Sequence, residues 1–197
     1  MLLSFMHEKY GGKRAFLFYM WGRFACLFGG GRKYKSIDFS RVDRIIFVCI
    51  GNVCRSPFAE HVLLSDTTLS GIEVLSCGVR TSGGTKANPQ GLETAKTFGI
   101  DLTGHASIPF SSIDLNERDL LVGMEPEHIK GLPEGRVSCG AQLTLLGVWG
   151  PRACLYIQDP YGRSDKYFHN CYCFIQEAVK GLSNGIKNPG CSASRSQ

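Results

Sequence analysis

Ile45-Ile46-Phe47-Val48-Cys49-Ile50-Gly51-Asn52-Val53-Cys54-Arg55-Ser56-Pro57 is the stretch on which the fold turns. Its first five residues form a short continuous apolar run, as in a parallel strand buried on both faces. Pro57 suits the first turn of a helix, and Ala59, Val62 and Leu63 supply that helix with an apolar face. Gly51 and Asn52, between the two, are residue types that tolerate positive φ. The stretch therefore reads as a strand, a tight loop and a helix in succession.

The same alternation continues downstream. Residues 72–77 read as a second strand. Asn88-Pro89 forms an N-cap and first-turn pair, Leu92, Ala95 and Phe98 share one helical face, and Gly99 is a stop. Residues 119–124 read as a third strand, with a short helical stretch around 128–132, and a fourth strand is expected within 136–146. Ser164 caps a last helix carrying Phe168, Cys171, Ile175, Ala178 and Leu182 at helical spacing. Strands alternating with helices predict an α/β fold: a single domain with a doubly wound four-stranded parallel sheet and helices on both faces. Its expected extent is residues 44–184, with a flexible tail over 185–197.

Residues 1–43 look foreign to that pattern. The net charge of +5 is concentrated near the N-terminus, where residues 1–44 hold nine Lys/Arg against three Asp/Glu. The remaining residues hold 13 Lys/Arg against 14 Asp/Glu. A nucleic-acid-binding domain spreads basic residues over its folded body, so no nucleic-acid partner is expected. The apolar run from Ala15 to Trp21 is broken by Gly22 and Arg23, too short and interrupted to span a bilayer. The extension reads as a disordered tail, as upstream sequence included by a misassigned start codon, or as a basic, aromatic-rich segment making peripheral contact with a membrane through residues 1–40. The nine cysteines lack a disulfide rhythm and a CxxC pair, which predicts reduced thiols in a cytoplasmic protein, membrane-associated if the extension is an anchor.

The loop itself suits phosphate chemistry. A loop wrapped at a helix N-terminus aims several backbone N–H groups at one point, here from Ile50, Gly51, Asn52, Val53, Cys54 and Ser56. Arg55 can hold two phosphate oxygens with its planar fork. The same positive field favours the thiolate of Cys49, the nucleophilic form, and Ser56 can donate to the sulfur as it departs. The Cys–Arg spacing alone is weak: with nine Cys and 12 Arg, chance supplies roughly 0.5 such pairs. Cys26 and Arg32 share it, but no strand precedes Cys26 and no helix follows Arg32. A general acid is also needed for the leaving oxygen. The candidate is Asp159 in Ile157-Gln158-Asp159-Pro160-Tyr161, where Pro160 restrains the Asp159 backbone and Tyr161 offers an aromatic wall. An Asp-Pro pair by itself is more often a turn.

Val48-Cys49-Ile50-Gly51-Asn52-Val53-Cys54-Arg55-Ser56-Pro57 resembles the phosphate loop of the low-molecular-weight protein tyrosine phosphatases, and similarity runs from about residue 44 to about 182. The resemblance implies Cys49 as nucleophile, Arg55 as phosphate ligand and Asp159 as general acid, with no cofactor or metal. It also implies that Asn52, Ser56, Ser76 and His105 form the polar network that supports the loop. For His105 the residues alone favour a satisfied structural histidine. Where the family usually has Arg shortly after that histidine, this chain has Ile108-Pro109. Asp159-Pro160-Tyr161-Gly162-Arg163-Ser164 is similar to the bacterial, polysaccharide-linked branch, which implies a tyrosine-phosphorylated protein as partner, such as a bacterial tyrosine autokinase or a polysaccharide-export protein. Arsenate reductases and protein-arginine phosphatases share this loop and remain alternatives, as does a catalytically silent phosphoprotein-binding module.

Overall fold

The computed structural model describes residues 8, 10–69, 71–130, 132 and 139–188. Four strands, β1 (Arg44–Cys49), β2 (Glu73–Gly78), β3 (Asp119–Gly123) and β4 (Gln142–Leu145), form one parallel sheet in the order β2-β1-β3-β4. The helices are α1 (Lys13–Leu27), α2 (Arg55–Leu64), α3 (Pro89–Lys96), α4 (Pro126–Lys130) and α5 (Asp165–Lys187). The expected doubly wound sheet is present. The fourth strand occupies the second half of its predicted window, whose residues 136–138 lie outside the described residues.

β1 is central because its residues are apolar on both sides: Ile45, Ile46, Phe47 and Val48 are fully buried. Ile45 and Phe47, with Leu120 and Val122 of β3, pack under α2 and α5. Ile46 and Val48, with Cys77 and Leu121, pack under Phe110 and Leu132 on the opposite face. Phe168, Tyr172, Ile175, Val179 and Leu182 repeat at four- and three-residue steps, which keeps one stripe of α5 in the core. Arg44 and Asp119 tie the entrances of β1 and β3 with two hydrogen bonds, 2.8 and 2.7 Å long. The sheet changes direction of winding beside β1, so the chain leaving β1 enters the crevice where ligands of such sheets bind.

The N-terminal segment is not a structureless tail over its described residues. After α1, 3-10 turns at Arg32–Tyr34 and Phe39–Arg41 carry the chain to β1. The small residues Ala15 and Gly22 face the domain, and Leu17, Met20, Trp21, Phe24 and Leu27 face outward. Helical periodicity was hidden because both sides of α1 are apolar and differ in size instead. At the other end, α5 runs to Lys187, beyond the expected boundary at 184, and residues 189–197 of the predicted tail lie outside the described residues.

Candidate active site

β1 ends at Cys49 and α2 begins at Arg55, so the intervening loop closes on the helix N-terminus as the residue pattern predicts. No side chain caps α2, which leaves its first N–H groups free for an anion. Asn52 adopts φ 55°, the only non-glycine positive φ among the described residues. That turn brings the Asn52 N–H to 3.2 Å from Cys49 Sγ. Gly78, paired with Cys49 across β1 and β2, makes room for the loop: a Cβ there would lie 2.8 Å from the Ile50 carbonyl oxygen.

Asn52 is the hub that holds this conformation. Its Nδ2 donates to Ser56 Oγ at 2.9 Å and to Ser76 Oγ at 2.7 Å. Its Oδ1 accepts from Ile108 N at 2.7 Å, and His105 Nε2 lies 2.7 Å from its carbonyl oxygen. Ser76 in turn donates to Glu60 Oε2 at 2.5 Å. Because Ser56 Oγ accepts from Asn52, its own hydrogen is available for Cys49 Sγ, 3.0 Å away. The chain from Glu60 through Ser76, Asn52 and Ser56 therefore ends at the cysteine sulfur. Ile108, one of the two residues standing in the place of that usual arginine, contributes through main-chain groups: its N–H serves Asn52 and its carbonyl accepts from Gly78 N.

Arg55 is fully buried yet donates in three directions. Nη1 donates to Glu125 Oε1 at 2.5 Å and to the Ile157 carbonyl at 2.8 Å, and Nη2 meets Asp159 Oδ2 at 2.9 Å. Nε–H has no partner among the described residues and remains available to an anion in the loop. Burial opposes the Arg55 charge, but Asp159, Cys49 and Glu125 outweigh it and hold the guanidinium firmly protonated. Burial also pushes the Glu125 carboxyl above its ordinary value, against the pull of Arg55. Cys54 is buried, its thiol pushed well up by desolvation, and the Tyr172 hydroxyl donates to its carbonyl at 3.0 Å. Tyr172 stacks on Phe58 at 3.8 Å, which clamps α5 to the start of α2.

The structure thus brings Cys49, Asn52, Arg55, Ser56, Ser76, His105 and Asp159 to one place. Ile50 and Tyr161 are exposed at 38% and 64%, and Val53 is half-buried, its carbonyl accepting from Asn88 N. Sequence reasoning missed Glu125, Glu60 and Tyr172. Glu125 carried a usable signal, since it follows a central strand on the side where such sheets bind ligands. Glu60 lies one turn after Ser56 on the same helical face. Tyr172 carried none, because its role depends on how α5 crosses α2.

His128 in α4 is a buried side chain whose ring nitrogens have no hydrogen-bond partner among the described residues. Burial, helped by the Arg55 charge, lowers its pKa to about 3. An unfolded histidine takes its proton near pH 6.5, so acid favours unfolding between that value and about 3. Stability present above about pH 6.5 should therefore fall by roughly 5 kcal/mol as the pH drops through this window. Urea midpoints at pH 7 and pH 4 check this: His128→Leu should shrink the difference, and an unchanged difference would acquit His128.

Three comparisons bear on this arrangement. The family model described as low molecular weight phosphotyrosine protein phosphatase matches residues 44–190. The chain is 30% identical over 138 residues to the low molecular weight protein-tyrosine-phosphatase Etp of Escherichia coli K12, covering 70% of this chain and 90% of Etp. The crystal structure of the tyrosine phosphatase Wzb from Escherichia coli K30 with sulphate superposes with a TM-score of 0.62 at 28% identity, covering 74% of this chain and 99% of Wzb. The YwlE arginine phosphatase of Geobacillus stearothermophilus, at 24% identity and a TM-score of 0.64 over 76% of this chain and 96% of its own, shares the fold. On these grounds the chain belongs to the low molecular weight phosphotyrosine protein phosphatase family, whose members work through a cysteinyl-phosphate intermediate.

Proposed function

We propose that this protein hydrolyses phosphotyrosine on proteins, with Cys49 as nucleophile, Arg55 as phosphate ligand and Asp159 as general acid. The observation that carries the proposal is their convergence. Arg55 Nη2 lies 2.9 Å from Asp159, and Cys49 Sγ is held by Ser56 and the Asn52 N–H at the mouth of the same loop. The Cys49 thiolate attacks phosphorus, the ester P–O bond breaks, and Asp159 delivers its proton to the departing phenolic oxygen. A phosphate on Arg55 competes with Asp159 for Nη2, which frees the carboxyl to reach that oxygen. In the second step water attacks phosphorus and gives its proton to Asp159. The S–P bond breaks, and Ser56 stabilises the leaving thiolate. Arg55 and the loop N–H groups of Ile50, Gly51, Asn52, Val53, Cys54 and Ser56 hold the transferring charge. Tyr161 stands as a wall for the substrate ring.

The chemistry of the rivals is less well served. Arsenate reduction needs further reactive thiols, and the Cys77 thiol is buried in the core on the far face, pushed up to about 12 by desolvation. Val53 is apolar where the arginine phosphatases usually carry threonine. A silent binding module has no use for Asp159 beside an intact Cys49 and Arg55. The protein partner is a tyrosine-phosphorylated protein of the kind made by bacterial tyrosine autokinases or polysaccharide-export systems, reached from the cytoplasm with residues 1–40 in peripheral contact with the membrane. Parallel assays on phosphotyrosine peptide, phosphoarginine peptide and arsenate test this: phosphotyrosine should be turned over fastest, and a preference for either of the others would overturn it.

A further inference from the structure

α1 is built inside out for a helix lying on a domain. Its inward seam is small: Ala15 and Gly22 are buried, and a Cβ on Gly22 would lie 2.8 Å from the Tyr156 ring and 3.1 Å from Leu155 N. The close approach is fastened by Cys154 Sγ–H donating to the Tyr19 carbonyl at 3.5 Å and by the Phe18 and Tyr156 rings, 5.4 Å apart. Thr144 donates to the Tyr34 carbonyl just downstream. The helix is therefore held against residues 154–156, which lead into the loop of Asp159.

Its outward side is large and apolar. Leu17, Met20, Trp21, Phe24, Leu27 and the capping Phe28 are 48–76% exposed. At 100° per residue they fall within an arc of about 120°. A contiguous exposed patch of this kind marks an interaction surface. The charge carried by the segment itself is of one sign. Residues 13–37 contain Lys13, Arg14, Arg23, Arg32, Lys33 and Lys35 and no Asp or Glu. Arg14 and Arg23 flank the apolar arc on opposite sides, and Arg32, Lys33 and Lys35 are exposed just beyond its end. No helix among the described residues is long and apolar enough to cross a membrane.

We propose that α1 is an interfacial helix that seats the domain on an anionic membrane surface, its outward arc entering the boundary between headgroups and acyl chains. An apolar arc bordered by basic residues has the chemistry that interfacial helices use on anionic lipid. The inference rests on the reading that residues 1–40 contact a membrane, and adds the face, the lipid class and the rigid attachment to the acid-loop side of the domain. A protein held this way presents its active site in one orientation to substrates at the same surface.

The test uses the full chain and vesicles of phosphatidylcholine with one third phosphatidylglycerol. Trp21 and Trp149 are the only tryptophans, and Trp149 is half-buried with its Nε1 donating to Thr144 at 2.9 Å. The protein should co-sediment with anionic vesicles and about tenfold less with pure phosphatidylcholine. Brominated lipid should quench its fluorescence, and Trp21→Phe should abolish the quenching while still co-sedimenting. Phe24→Glu with Leu27→Glu should remain in the supernatant with unchanged p-nitrophenyl phosphate turnover, which shows that it is folded. Failure of the unaltered protein to sediment, sedimentation with Trp21 unquenched, or sedimentation of the double variant at the original level would each overturn the proposal. So would a dimer in solution that the double variant breaks, since the face would then serve a second copy of the chain. Loss of phosphotyrosine turnover with vesicle binding intact would instead count against the proposed catalysis and leave this inference standing.

Discussion

Cys49→Ser should lower turnover of phosphotyrosine peptide by about 10⁴-fold or more, as expected for removing a covalent nucleophile. A serine hydroxyl is a far weaker nucleophile than a cysteine sulfur. The loop would stay in place, because its shape rests on Asn52 and not on the sulfur: Ser56, Ser76, Ile108 and His105 all bond to Asn52. Arg55 Nε–H and the uncapped start of α2 also remain. The variant should therefore bind inorganic phosphate within a few-fold of the original affinity and melt at nearly the same temperature. Steady-state kinetics, phosphate titration and thermal melts read the three quantities. Turnover within tenfold of the unaltered protein would remove Cys49 as the nucleophile.

Asp159→Ala should act on the leaving group. The loss in kcat/KM should be about 10²–10⁴-fold for phenyl phosphates whose phenols are weakly acidic, and small for p-nitrophenyl phosphate. The measurement has to be kcat/KM, which reports the first step, because Asp159 is also the proposed base of the second, and its loss would then slow kcat for every substrate. The variant also frees Arg55 Nη2, which meets Asp159 at 2.9 Å, so phosphate binding should tighten or hold. A leaving-group series with the same loss at every point would show that the proton comes from elsewhere. Glu125 is then the group to examine, since it contacts the same guanidinium and burial raises its pKa.

The sequence by itself determined the sheet and the loop. Ile45, Ile46, Phe47 and Val48 leave no polar side for solvent, so they specify a central parallel strand. The glycine and asparagine after Cys49 specify a tight turn, and Pro57 a helix start. These are local properties of backbone and burial, and they suffice to put Cys49, Asn52, Arg55 and Ser56 on one short loop, where Ser56 lies within hydrogen-bond distance of both Cys49 and Asn52. Asp159 was legible only through the family pattern, because an Asp-Pro pair has no chemistry until something brings it to Arg55 across more than a hundred residues. Tertiary structure decided the rest. Glu125 reaches Arg55 because β3 runs beside β1 in parallel register, with Val48 opposite Gly123. Tyr172 reaches Cys54 because α5 crosses α2. The orientation of α1 was hidden for a different reason. Residues 13–27 are apolar nearly all round, and hydrophobicity alone cannot say which side goes inward. The answer came from size: where Gly22 allows the backbone to approach residues 154–156, dispersion contacts favour that side, and Leu17, Met20, Trp21, Phe24 and Leu27 are left outside.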